Sequence, residues 1–512
     1  NDLLKKALLT RAQKTQDLFW NDFLSWYFIQ LKEYGKAFIQ QKAIYKRSPD
    51  SFANIVNLGQ MAMDDKDIEA AKEILTFVLE NTNNLELLIE ANSYLLEMRI
   101  ENATEKDYPQ ITSDLERLIK EFGISPYTIP LLKLDAEFSA FHLKNVEKAK
   151  TILKNALEMD LDKNQNAEIK MELADILLFE EKFNQALIYY SQVGEDMSGS
   201  VIGQEASLKT AKTSYYKTDF EWASHQLKIL KSASTQLIAN DALDLFLLIS
   251  DNTVEDSTQV ALKKFARADF LLFQNKKQEA LSAFQNILKE HKGEEIEPIT
   301  LLRIGKIYEK LGDFTNALEN YSAIINNHKE CIYIDEAYFF SAEIYNEKLK
   351  DFGKALEYYR EALKLDNQWD EAWYGVAVCL AVEEKWIESL NCVRKAIKLN
   401  EHVADYWLTL GELEYKIGNL FSAVEAFEKA VELDPEYEDI WLKWSLIMFD
   451  QGQFDKAYEI IQDGLNELPD NATLYYRAAA YLFHGGDYKE ALLNLEIALT
   501  LDYSAHEQLY VF

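Results

Sequence analysis

The sequence predicts an all-α protein built as a repeating array of helical hairpins, and three observations carry that prediction. A chain of 512 residues is too long for one ordinary compact core, so several domains or a repeat array are expected. With 48% hydrophobic and 12% aromatic residues it can bury a large surface, while 7 Pro and 17 Gly are few for a fold of many strands and tight turns. Small residues then recur in phase: Ala355, Ser389, Ala423, Ala457 and Ala491 lie 34 apart, and seven residues beyond them lie Ala362, Ala396, Ala430, Gly464 and Ala498.

Each unit is read outward from that anchor. Twelve residues before the last four anchors stand Ala377, Gly411, Ser445 and Ala479, and sixteen before stand Trp373, Trp407, Trp441 and Tyr475. Two amphipathic helices of about a dozen residues, joined by a short turn such as "KIGN" or "DQGQ", fill such a period. The first helix is expected to cross the second closely where Gly411 and Ala423 meet with almost no side chain, with Trp407 filling the wider end of the wedge. Pro435 and Pro469 fall after second helices, where a missing amide hydrogen ends one helix and can begin the next.

Upstream the marks persist at looser spacing. Ala71 lies 34 after Ala37 and follows Leu58 and Gly59; Ala149, Ala186 and Ala223 advance by 37; Ala280, Ala317 and Ala355 by 37 and 38. The extra residues should lengthen helices or turns, as in "AEIYNEKLKDFGKA". The intervals Ala71 to Ala149 and Ala223 to Ala280 are too long for one unit, so each should hold a further pair of helices: Leu85 to Ile100 with Tyr108 to Phe122, and Thr235 to Ser250 leading towards Val260. The total is about 13 hairpins. By style the chain divides into irregular repeats over 1–125, repeats of about 37 residues with one degenerate unit over 126–334, and a regular 34-residue array over 335–512. The regular part is rich in tryptophan: Trp369, Trp373, Trp386, Trp407, Trp441 and Trp444.

This constellation of W, L/G, A, F, A and P resembles the tetratricopeptide repeat (TPR). The resemblance implies a right-handed superhelical TPR solenoid that binds a peptide or protein on its concave face. The stretch from Tyr190 to Asn252, beginning "YSQVGEDMSGSVIGQEASLKTAK", resembles a family of secreted bacterial TPR proteins over about residues 20–345, which implies an exported, periplasm-facing protein without known catalysis. The ending "HEQLYVF" after the regular repeats of about 355–512 is similar to a second bacterial TPR family, thought to be non-enzymatic.

Composition narrows the partners. A formal charge of -32 repels phosphate backbones, so nucleic acid is a poor partner, and the acidity suits solubility or attraction to basic surfaces. Cys331, Cys379 and Cys392 match no zinc-ligand spacing and read as small core residues, which leaves the compartment open. No apolar run approaches the roughly 20 residues that span a bilayer. Asn1 in place of an initiator Met reads as a processed or trimmed start, so any signal peptide would precede it. The seven histidines are scattered, and no HExxH, P-loop or GxGxxG spacing occurs; "RIGKIYEK" lacks the leading Gly and the Ser/Thr of a phosphate loop. No catalytic, cofactor or metal residue is therefore assigned, and no enzyme activity is expected. Asn102-Ala103-Thr104 and Asn471-Ala472-Thr473 match the glycosylation triplet, a weak signal in so long a chain.

What remains is binding. In the family it resembles, the inner wall comes from first-helix positions one and eight residues after the wedge aromatic. Those positions hold Tyr374, Leu408, Leu442 and Tyr476, then Ala381, Tyr415, Phe449 and Phe483. Two residues before the wedge, Glu371, Asp405 and Asp439 add an acidic rim. An apolar floor with an acidic edge suits a peptide with basic flanks. A clamp for a terminal carboxylate would need donors and positive charge, whereas the corresponding positions hold Tyr374, Val378, Leu408 and Glu412. Two functions stay open: an interaction scaffold, such as a periplasmic component of an envelope assembly, or a substrate-recruiting or regulatory subunit of an enzyme complex.

Overall fold

A computed structural model describes residues 11, 18–30, 32–48, 52–101, 103–233, 236–253, 259–469 and 471–501. Among the described residues there are 27 α-helices and no strand, and they form thirteen consecutive pairs with one helix left over. Two compact units divide the chain, Asn1–Glu297 and Pro298–Phe512. The boundaries expected from repeat style, after 125 and after 334, lie inside these units.

In the second unit the pattern is uniform. The second helices α19 (Phe352–Leu365), α21 (Trp386–Leu399), α23 (Leu420–Leu433) and α25 (Phe454–Glu467) are each 14 residues. The first helices α20 (Asp370–Val382), α22 (Ala404–Lys416) and α24 (Glu438–Asp450) are each 13. A last pair, α26 (Ala472–Gly485) and α27 (Tyr488–Leu501), closes the described array. The anchors Ala355, Ala423 and Ala457 are buried to 0% exposure, as is Ser389.

The turn inside twelve of the thirteen hairpins, all but that of α5 (Leu85–Glu101) and α6 (Tyr108–Phe122), has one fixed requirement. Five residues before every anchor the backbone is left-handed, with φ between 53° and 91°: Lys32, Lys66, Lys144, Glu181, Thr218, Asn275, Gly312, Lys350, Glu384, Gly418, Gly452 and Gly486. This conformation turns the chain from the first helix into the second and is cheap only for glycine.

The wedge differs in detail from the sequence expectation. The anchor and the residue twelve before it do approach, since Ser389 Oγ donates to the Ala377 carbonyl at 2.7 Å and Ser25 Oγ to the Ala37 carbonyl at 3.4 Å. The glycine at that crossing, however, makes room for a ring one turn further along. A Cβ on Gly411 would lie 2.9 Å from Phe427, and one on Gly305 would lie 2.3 Å from Tyr321. The wedge tryptophan instead meets the small residue seven beyond the anchor: a Cβ on Gly464 would lie 2.9 Å from Trp441 Cγ. Trp441 is 4% exposed, while Trp373 and Trp407 are half-buried. Each donates its indole N–H to the carbonyl six residues back, at Asn367 (3.0 Å), Glu401 (2.9 Å) and Pro435 (2.8 Å). That bond ties the inter-repeat loop down and explains tryptophan rather than phenylalanine at the site.

The 37-residue intervals contain longer first helices, 17 residues at Lys163–Phe179, 16 at Val201–Tyr216 and 15 at Ile296–Lys310 against 13 in the regular units, and two further sources act locally. One extra residue is absorbed as a π turn at the end of a first helix, Phe138–His142 after α7 (Ile129–Glu137) and Ile344–Lys348 after α18 (Ile334–Glu343). Larger excess is handled by insertion. The pair expected between Ala71 and Ala149 is present as α5 (Leu85–Glu101) and α6 (Tyr108–Phe122). The pair expected between Ala223 and Ala280 is instead the single helix α13 (Gln236–Asp251), the one left unpaired. That interval of 57 residues exceeds a regular 34-residue unit by 23, room for a 16-residue helix and its links but not for two helices. The row passes beside the insertion: α14 (Val260–Phe273) docks on α11 (Val201–Tyr216) through Tyr215 Oη to Asp269 at 3.0 Å and Tyr216 against Phe270. Arg267 also grips Glu181 with two bonds of 2.8 Å. Cys379 is buried, as expected of a small core residue, whereas Cys331 and Cys392 are only half-buried.

Candidate partner-binding wall

Within the second unit the first helices α18, α20, α22, α24 and α26 each contact the next along the row, and neighbouring second helices make no comparable contact. The first helices therefore form the inner, more closely spaced wall. Hydrogen bonds between them run along its rim. Tyr406 Oη donates to Asp370 at 3.1 Å, Tyr437 Oη to Asp405 at 2.9 Å, and Asn471 Nδ2 to Glu438 at 2.9 Å. Lys443 bridges to Glu412 at 3.1 Å. Asn471 also caps α26 by accepting from the Leu474 amide at 2.9 Å, so its side chain is engaged in folding; Asn102 lies outside the described residues.

The ten residues expected to meet a partner divide by exposure. Leu408 is 3% exposed and belongs to the core, which removes it from the wall: α22 and its neighbours cover it. Tyr374, Tyr415, Leu442, Phe449 and Tyr476 are half-buried, with one side packed and one side open. Tyr374 is tilted against Tyr406 at 4.7 Å and hydrogen-bonds Thr409 at 3.2 Å. Burial pushes its phenol up to about 12, the Thr409 bond opposing and the Asp405 and Glu412 carboxylates adding to the rise. Tyr415 Oη accepts from Gln451 at 3.3 Å. Phe449 stacks on Tyr481 at 4.9 Å and meets Phe454 and His484 edge-on at 5.0 and 5.1 Å. Phe483 is 50% exposed and leans on Tyr488. At the rim Glu371 and Asp439 are exposed and Asp405 is half-buried under Tyr437.

Two carboxylates escaped the sequence reading. Glu343 on α18 has its carboxyl pushed up to about 7, by burial first and then by Glu347, Glu309 and Glu371. Glu309 lies on α16 (Ile296–Lys310) and accepts from Tyr321 Oη at 3.0 Å. The π turn hides Glu343, because its extra residue makes buried Ala342 the counterpart of Ala377 and Gly411. Glu343 then aligns with Val378 and Glu412. Glu371, Asp405 and Asp439 recur at one register on three successive first helices, while Glu343, with Glu309, adds negative charge near Glu371. Among the described residues no group of His, Cys, Asp and Glu has the arrangement to hold a metal ion, and no helix is long and apolar enough to cross a membrane.

The fold and its inner wall define a helical-repeat interaction scaffold. Residues 300–330, 335–368, 382–438 and 418–482 match family models described as tetratricopeptide repeat, in phase with the hairpins above. Residues 300–482 thus carry tetratricopeptide repeats. Solved structures similar to parts of it include YrrB, described as a TPR protein with an unusual peptide-binding site, at 22% identity over 38% of this chain and 98% of that one, TM-score 0.30. MamA from Desulfovibrio magneticus RS-1 is 18% identical over 35% of this chain and 97% of that one, TM-score 0.31. A tetratricopeptide repeat protein from Parabacteroides merdae is 18% identical over 48% and 94%, TM-score 0.39.

Proposed function

We propose that the first-helix wall of residues 298–501 holds a protein segment that presents apolar side chains between basic flanks, and that the chain serves as a non-catalytic scaffold in an assembly. The observation that carries this reading is the acidic rim of Glu371, Asp405 and Asp439 beside half-open aromatic rings. Glu309 and Asp405 are held by neutral tyrosine hydroxyls, while the nearby Lys306 and Lys443 are committed to Glu336 and Glu412. Such a strip attracts Lys and Arg, and the rings supply rigid contact area at low entropy cost. The resemblance of residues 20–345 to a secreted family favours a partner in the cell envelope. Titration with fluorescent peptides carrying an aromatic core and lysine flanks tests the site. Tyr415→Ala with Phe449→Ala should weaken capture about tenfold or more with helicity intact, and raised salt should weaken it further. Equal affinity of wild type and double variant would remove the wall from the binding site. Recovery of cytosolic enzymes alone in a cross-linked pull-down, with altered rates, would favour the recruiting-subunit function instead.

A further inference from the structure

Among the described residues α13 is the one helix without a hairpin partner, and its open side is partly apolar. It packs on α12 (Phe220–Ala233), and its Ala242, Leu248 and Ile249 are buried. Leu243 and Leu247, one turn apart, are 39% and 37% exposed, and Asp251 lies one turn further along the same face. Where that face ends, a cavity of about 580 Å³ opens between the end of α13, the start of α14 and residues 291–296. Val260, Leu262 and Ile296 supply its apolar lining; Asp251, Glu294 and Glu295 supply its charge. His291 Nδ1 meets the Glu294 carboxylate at 3.0 Å, and Lys264 is engaged by Glu290 at the end of α15 (Lys277–Glu290). Asn252, also in the lining, donates to the Leu248 carbonyl at 2.8 Å and leaves its buried amide oxygen without a partner.

We propose that α13 and this cavity dock a helical segment of a partner protein that carries two apolar side chains one turn apart and a lysine or arginine one turn beyond, so that the partner supplies the helix the insertion lacks. Charge selects this occupant. The helix holds Asp241, Asp244 and Asp251 and no Lys or Arg, so the same face of a second copy would bring acids against acids. Asp241 is already bridged to Lys212 at 3.0 Å, which leaves the Asp251 end, with Glu294 and Glu295 across the cavity, as the place where a partner's cation is wanted. A basic side chain seated there gains charge-assisted hydrogen bonds, and Asn252 adds a neutral acceptor. The leucine pair supplies apolar contact area at helical spacing. With leucines along the helix and acids at its end, the site also fixes the direction in which the partner runs. It lies in the first unit and does not depend on the wall of residues 298–501.

The test is a display selection of helical peptides on the full chain, from which every peptide that also binds the variant Leu243→Lys with Leu247→Lys is removed. Both leucines are exposed, so the variant should keep its helicity and melting temperature, and those are measured first. The surviving peptides should share two large apolar residues one turn apart with Lys or Arg one turn beyond. Asp251→Asn with Glu295→Gln should weaken their binding about tenfold, and raised salt should weaken it further. A selection that leaves no peptide would overturn the proposal, as would survivors that lack the basic residue and bind the Asp251→Asn, Glu295→Gln chain as tightly as wild type. Sedimentation supplies the remaining arm: a dimer of the full chain that Leu243→Lys with Leu247→Lys dissolves would make a second copy the occupant and overturn it too.

Discussion

The two compact units solve one packing problem by different means. In Pro298–Phe512 most helices keep to 13 or 14 residues, four of the six turns, at Gly312, Gly418, Gly452 and Gly486, use the residue their backbone wants while Lys350 and Glu384 do not, and rings fill gaps opened by glycine. In Asn1–Glu297 the left-handed turn positions are Lys32, Lys66, Lys144, Glu181, Thr218 and Asn275, helix lengths vary from 9 to 17 residues, and one helix is inserted. There polar bridges between pairs accompany less uniform packing, whereas in the second unit bridges such as Lys306–Glu336 and Lys443–Glu412 are added to it. Lys150, 5% exposed, lies between Glu147 and Glu180 at 2.6 and 2.7 Å, and Lys209 reaches Asp175 at 2.8 Å. Regularity thus comes from complementary volumes repeated at 34 residues; irregularity is tolerated where specific charge pairs fix each interface separately.

The largest expected effect tests the packing side of that contrast. Trp441→Ala removes a ring that fills the space over Gly464 and a bond to the Pro435 carbonyl, and should cost about 3 to 5 kcal/mol in denaturant unfolding. Because repeat stability is mostly nearest-neighbour, the loss should fall on α23 to α26 in exchange measurements. A variant with wild-type stability would mean that the regular unit is not held by its ring and glycine pairs.

The anchors, the wedge aromatics and the extra pair α5 and α6 were legible because they depend on side-chain volume, which the sequence states directly. Three features were not. The left-handed turns are invisible where the position holds Lys, Glu or Thr, since nothing local to those residues asks for positive φ. The π turn shifts register by one and concealed Glu343 among the acids of the wall. The inserted α13 carries no anchor, and only the length of its interval, weighed against a full hairpin, distinguishes one helix from two. Of the candidate wall, the positions followed from period alone, whereas the burial of Leu408 depended on how closely α22 meets its neighbours.

A pH experiment compares one carboxylate from each unit. Glu172 on α9 (Lys163–Phe179) has its carboxyl raised from 4.5 to about 7 by burial, with Glu137 and Asp175 adding to it. Below 4.5 the proton is bound in both folded and unfolded chains and the residue costs nothing; above 7 the folded state carries a buried charge. Stability should therefore fall as pH rises from about 4.5 to 7, and Glu172→Gln should restore about 1 to 3 kcal/mol at pH 8 while changing little at pH 4. Glu343, raised similarly but less enclosed, should give a smaller gain in the same direction when changed to Gln. Melting curves across pH check both, and a destabilised Glu172→Gln at pH 8 would reverse the sign of the argument.

The smallest effect is also the sharpest on the turns. Thr218 holds φ at 68° with a β-branched side chain, and Gly452 holds 70° with none. The two positions are equivalent, five residues before Ala223 and Ala457. Left-handed backbone strains a non-glycine residue by about 1 to 2 kcal/mol, part of which returns as the extra entropy glycine loses on folding. Thr218→Gly should therefore stabilise by about 0.5 to 1 kcal/mol and Gly452→Ala should destabilise by about 1. Opposite signs at matched positions would locate the difference between the units in their turns as well as their cores. Equal signs would mean that Thr218 is compensated by contacts of its own, and that the irregular unit has settled its turns residue by residue, as it has its ion pairs.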